Sequence, residues 1–108
     1  MKKKNIDSIN SAVAIQCLPN GLNGKEEVYS AVDKAIAAID NSGLTYTVCP
    51  FETVIEGPLD KVCEVAIAAH KAILETGVSS VASYIKLWSG ENIGSSEEKT
   101  DKYRAKGH

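Results

Sequence analysis

A chain of 108 residues has room for one hydrophobic core and not for two independent ones. Its 44% hydrophobic and 24% charged residues fit a folded soluble protein and exclude a disordered or membrane-spanning chain. A formal charge of -2 and a sequence pI of about 5.6 offer no basic surface to nucleic acid or to an anionic membrane.

Residues 1–10 read as a flexible tail, and residues 11–108 as a single domain. The basic start, Lys2-Lys3-Lys4, is followed by polar residues, and the apolar run from Ala12 is broken at Gln16. A secretory segment needs roughly 7–15 unbroken apolar residues at this place, so a cytoplasmic location is expected. Ala12–Leu18 is predicted as the first strand, stopped by the Pro19-Asn20-Gly21 turn. After Asn23-Gly24, apolar residues at 28, 29, 32, 35, 36 and 39 (Val28, Tyr29, Val32, Ala35, Ile36, Ile39) follow helical spacing, and Gly43 ends that helix.

Leu44–Cys49 alternates as a strand does. Phe51–Glu56 is predicted as the next strand after the Pro50 break, with Pro58 in the first turn of the helix that follows. Leu59, Val62, Cys63, Ala66, Ala69, Ile73 and Leu74 mark the buried stripe of this second helix, which Gly77 caps. Val78–Trp88 is the last strand, and Ser95–Arg104 a short polar helix with Glu97 and Glu98 in its first turn. The order βαββαβ is that of an α+β, ferredoxin-like sandwich: an antiparallel four-stranded sheet with both helices on one face, plus a short C-terminal helix.

Helices on one face leave the other either solvated or buried against something else. That face is expected to carry Gln16, Thr45, Thr47, Tyr84, Lys86 and Trp88 or their strand neighbours. Aromatic residues on an uncovered sheet predict a ligand or a second subunit there. Candidate chemistry is sparse. His70 has no ligand-spaced neighbours and reads as a helix-flank residue, and Asn20-Gly21-Leu22-Asn23-Gly24 lacks the spacing of a phosphate loop. Cys17, Cys49 and Cys63 are too few and too scattered for a disulfide framework or a zinc site; reduced thiols and no metal are expected. Glu56 closes a strand beside Val54 and Ile55, where a half-buried carboxylate needs a donor. An ion pair with Lys86 or a helix cap would supply one. So would an amino-heterocycle held by Glu56 and the Thr53 hydroxyl against an aromatic wall.

The run Tyr46-Thr47-Val48-Cys49-Pro50-Phe51-Glu52-Thr53-Val54-Ile55-Glu56-Gly57 resembles the Y-x-V-x-P-x-x-T-x-x-E-G signature of a small family of thiamine-binding ferredoxin-like proteins. Leu18-Pro19, Ser42-Gly43-Leu44, Ala69-His70 and the segment from Glu97-Glu98-Lys99 to Lys102-Tyr103-Arg104 extend the resemblance over 12–104. It departs from the family at Phe51, where a small residue or Met is common, and at Leu87-Trp88-Ser89. The resemblance implies a non-enzymatic binder of thiamine or its hydroxymethylpyrimidine half, assembled as a homodimer or homotetramer, with no cofactor. Thr53 and Glu56 carry over first as ligand-binding residues; Gln16, Thr47, Tyr84 and Trp88 join them from the sheet-face reading. A ferredoxin-like enzyme or regulatory subunit is the alternative, and a purely structural interaction module a third.

Overall fold

The protein is described by a computed structural model over residues 5–91 and 93. Strand β1 (Asn10–Asn20) leads to helix α1 (Gly24–Asn41), then β2 (Thr45–Val48), β3 (Thr53–Pro58), helix α2 (Leu59–Leu74) and β4 (Ser80–Ser89). The sheet order is β2-β3-β1-β4 with every neighbouring pair antiparallel, which is the ferredoxin-like α+β arrangement read from the sequence. The segment Ser95–Arg104, predicted as a helix, lies outside the described residues.

Alternation on the strands decides which side chains meet the helices. Val13, Ile15 and Ile55 lie in one layer with Ala31, Ala35 and Ile39 of α1 and Val62, Ala66, Ala69 and Ile73 of α2. Burying each of the large members contributes roughly 1.5–3 kcal/mol relative to leaving it in water. On α1 the stripe 28, 31, 32, 35, 36, 39 turns inward, and Tyr29, one position off it, stands 61% exposed. On α2, Val65 joins the core, whereas Leu74 is exposed at the helix end.

Three boundaries differ from the sequence reading. Asn5 precedes a short 3-10 turn over Ile6–Ser8, and β1 begins at Asn10, two residues before the expected Ala12. The Leu59 amide donates to the Ile9 carbonyl at 2.9 Å, which ties this start to α2. Next, β3 begins at Thr53 and not at Phe51. Residues 49–52 form the hairpin loop, closed by the Cys49 amide donating to the Glu52 carbonyl at 2.9 Å. Finally, Pro58 is extended (φ -62°, ψ 145°), ending β3 and flanking α2 from outside.

Candidate functional site

Register places the candidate residues without ambiguity. Across the uncovered face, Trp88 of β4 lies beside Ala12 of β1, which lies beside Glu56 of β3, which lies beside Thr45 of β2. The next row is Lys86, Ala14, Val54 and Thr47, and the third begins with Tyr84 and Gln16. Glu56, Gln16, Thr47, Tyr84 and Trp88 therefore share one face. Thr53 does not. It pairs with Ile15 and Val48, is 8% exposed, and belongs to the helix-covered side, because residues three apart on a strand point to opposite faces.

Two residues that sequence reasoning passed over give this face its shape. Ala12 and Ala14 occupy the middle of the sheet, with a bulky wall of Tyr84, Lys86 and Trp88 on one side and Glu56 and Val54 on the other. Strands lie about 4.8 Å apart, so Trp88 and Glu56 are separated by about 10 Å at the backbone, with only a methyl group between them. That width accommodates a flat heterocycle. Trp88 and Tyr84 are 56% and 63% exposed, so both present aromatic surface on this face.

A shallow concavity of about 420 Å³ at the other end of the face is lined by Gln16, Glu52, Tyr84, Ile85 and Lys86. The Lys86 ammonium bonds Glu52, at 3.0 Å to Oε1 and 3.3 Å to Oε2. Glu52, two residues before Val54 in the hairpin loop, is thus a further polar group near the candidate residues. The pair is solvent-exposed and contributes at most about 1 kcal/mol, so a charged ligand exchanges for either partner at little expense. A cleft of about 490 Å³ between the helices, lined by Leu22, Glu27, Ser30, Lys34, Ala72 and Thr76, is larger. It holds none of the candidate residues and no aromatic ring, and the sheet face is the better site on chemical grounds.

The helix-covered side holds a polar chain across α2, β1 and β4. His70 Nδ1 and Ser83 Oγ are hydrogen-bonded at 2.6 Å, and Ser83 Oγ donates to Cys17 Sγ at 3.3 Å. Cys17 and Ser83 are register partners on β1 and β4, and α2 lays His70 over them. Burial pushes the Cys17 thiol up, and the Ser83 bond partly offsets this. The contact identifies His70 as a tether between α2 and β4, facing away from the aromatic wall. No signal in the sequence could have joined residues 17, 70 and 83, since only the tertiary fold brings them together. Among the described residues no group of three or more His, Cys, Asp or Glu side chains is placed to hold a metal ion, and no helix is long and apolar enough to cross a membrane.

The UPF0045 protein of Clostridium perfringens is 32% identical over 92 residues, spanning 85% of this chain and 95% of its own. A domain of unknown function, DUF77, from Bacillus cereus is 33% identical and superimposes with a TM-score of 0.80 over 95% of this chain and 98% of its own. The fold also matches a Thermotoga maritima protein described as a candidate for thiamine biosynthesis or salvage (TM-score 0.74, 22% identity, 88% of this chain and 99% of the other). A family described as thiamine-binding protein matches residues 13–104. The chain belongs to that thiamine-binding protein family.

Proposed function

We propose that this protein binds thiamine, or its hydroxymethylpyrimidine half, on the open face of the sheet, and does so in the cytoplasm as a non-enzymatic homodimer or homotetramer. The observation that carries the reading is the convergence of Glu56, Trp88, Tyr84, Gln16 and Thr47 around the Ala12–Ala14 floor. Each group matches a part of the ligand. The aminopyrimidine offers an N–H donor to the Glu56 carboxylate, and a charge-assisted bond of this kind contributes about 1.5–3 kcal/mol; Gln16, four residues along β1 from the Ala12 that pairs with Glu56, faces the far end of the ligand. The thiazolium carries a permanent positive charge, which stacks favourably on Trp88 or Tyr84, and Glu52 adds negative potential nearby. Thr53 enters this scheme only as a helix-side residue that fixes the start of β3.

A binder without turnover fits the composition of the face, which among the described residues holds no histidine and no serine or cysteine beside a base. A thermal-shift screen with thiamine, its mono- and diphosphate, and hydroxymethylpyrimidine tests the reading. A ligand present at 100 times its dissociation constant adds about 2.7 kcal/mol, a rise in Tm on the order of 10 °C for a domain of this size. Melting that stays unchanged with all four compounds at millimolar concentration refutes it.

A further inference from the structure

The Lys86–Glu52 pair lies across the open face. Lys86 of β4 stands beside Ala14 of β1, and Ala14 beside Val54 of β3, while Glu52 sits in the hairpin loop just ahead of β3. The ammonium therefore meets its carboxylate, at 3.0 Å and 3.3 Å, by reaching over β1. The small side chain of Ala14 leaves it room. The two halves of the pair are not equivalent. The Glu52 side chain is 31% exposed and that of Lys86 75%. Glu52 is also tied at its main chain, whose carbonyl accepts the Cys49 amide that closes the loop. The carboxylate is the fixed half, and the lysine is the half that can swing away.

The distribution of charge adds a second constraint. Among the described residues every other lysine (Lys25, Lys34, Lys61 and Lys71) belongs to a helix, and His70 lies on the helix-covered side. Lys86 is thus the one described cation on the open face, and Glu52 and Glu56 stand against it. Phosphate sites gather several charged donors or the N–H groups of a helix N-terminus. This face offers one ammonium that is already neutralised. Side chains two apart on a strand are separated by roughly 6.5 Å. With the aminopyrimidine at Glu56, the thiazolium falls over the Ala14 row. Its hydroxyethyl arm then points to the third row, into the concavity that Gln16, Glu52, Tyr84 and Lys86 line.

We infer that Glu52 selects the charge state of the ligand: by holding Lys86 it denies the face any gain from a phosphate, and it directs the site to cationic, unphosphorylated thiamine. This deepens the thiamine reading and rests on it. A phosphoryl group carries about -1.5 to -2 charges at neutral pH. It bonds Lys86 only by drawing the ammonium off Glu52, and the fixed carboxylate left behind faces it as a like charge. Two unit charges in contact in water shift an equilibrium about fivefold, so Glu52 offsets by roughly ten- to thirtyfold what Lys86 supplies. The thiazolium meets the opposite balance, since a carboxylate parted from its lysine is its counter-charge.

Calorimetric titration of thiamine and thiamine monophosphate at one ionic strength, on the full chain and three variants, tests the inference. The wild type is expected to bind the monophosphate no tighter than thiamine. Glu52→Gln keeps the side-chain shape and the main-chain bond of the loop. It should raise the affinity for monophosphate relative to thiamine by about ten- to thirtyfold, and Lys86→Met should lower that ratio by a similar factor. Glu64→Gln removes the same charge from α2, where Glu64 pairs with Lys61 at 3.8 Å, and should leave the ratio as in the wild type. A wild type that prefers the monophosphate overturns the inference. So does a Glu52→Gln ratio that moves no further than that of Glu64→Gln, or a ratio that Lys86→Met leaves unmoved. In those cases thiamine still binds and the ligand reading stands. A wild type that binds neither compound fails the ligand reading and takes this inference with it.

Discussion

Replacing Gly21 by alanine tests how β1 is pinned to β4, the joint that sets the register of the candidate site. Gly21 follows β1 with φ +81°, in the left-handed region, where an L-residue costs about 1–2 kcal/mol. An added Cβ would also overlap Ser79 Oγ and stand 2.8 Å from Ser79 Cβ and 3.2 Å from its amide nitrogen. Rotating the Ser79 hydroxyl away relieves only the first clash, and it gives up the 3.0 Å bond that Ser79 Oγ donates to the Asn20 carbonyl. A lost hydrogen bond costs about 0.5–1.5 kcal/mol. The smaller conformational entropy of unfolded alanine returns about 0.4–1 kcal/mol.

Gly24 is the internal control. Its φ is +86°, yet nothing lies within 4 Å of the added carbon. Gly24→Ala therefore pays the backbone term alone, a net cost of about 1 kcal/mol. Gly21→Ala adds the collision and the broken bond, for a total of about 2–3 kcal/mol, or some 8–20 °C in Tm. Urea denaturation and melting curves at one fixed protein concentration measure the difference. Equal losses in the two variants would mean that the Ser79 contact does not exist in the folded protein, and the reasoning about this joint would be refuted.

Glu56→Gln keeps the shape of the proposed carboxylate and removes its charge, so thiamine affinity measured by calorimetry should fall about ten- to a hundredfold at ~1.4 kcal/mol per decade. A variant that binds thiamine as the wild type does but melts much earlier makes Glu56 part of the scaffold. Alkylation with iodoacetamide at pH 8, followed by peptide mass mapping, should modify exposed Cys49 before Cys17, whose thiol is pushed up by burial; equal rates contradict the packing at Cys17. Tyr46 donates a 2.9 Å bond to Asp40, and that bond, with some burial and the charge of Asp40, raises its pKa. Its contribution to stability is thus present below the unfolded tyrosine value, about 10, and lost as pH rises through the folded one. Tyr46→Phe should flatten stability against pH above 10, and a variant with the same alkaline loss as the wild type rules this bond out.

The element order was legible because two periodicities alternate cleanly along the chain: helical spacing at 28–39 and 59–73, and strand alternation at 12–18 and 81–88. The register was not. Thr53 and Glu56 look like one motif in sequence, but strand parity sends them to opposite faces once the whole of 53–58 is extended. Phe51 was drawn into the strand by its apolar character; the closing bond between Cys49 and Glu52 makes it a loop residue, 79% exposed. The Ala12–Ala14 floor was hidden for the opposite reason, since alanine marks neither helix nor strand and means something here only by its place between Trp88 and Glu56. Alternation in β4 was read correctly, but not that α2 stops short of Ile85 and Leu87. Coverage by a helix is a property of packing and leaves no local trace.

Trp88 is the sole tryptophan of the chain, and it stands on the face proposed to hold the ligand. Its intrinsic fluorescence therefore reports on that face alone. Titration of thiamine, followed in parallel by Trp88 emission and by calorimetry, tests the central claim most directly. The account predicts a saturable change in emission with the same midpoint as the heat, and the same pairing with hydroxymethylpyrimidine. Absence of binding, or heat of binding with Trp88 emission unmoved, would place thiamine elsewhere or nowhere on this protein and contradict the account.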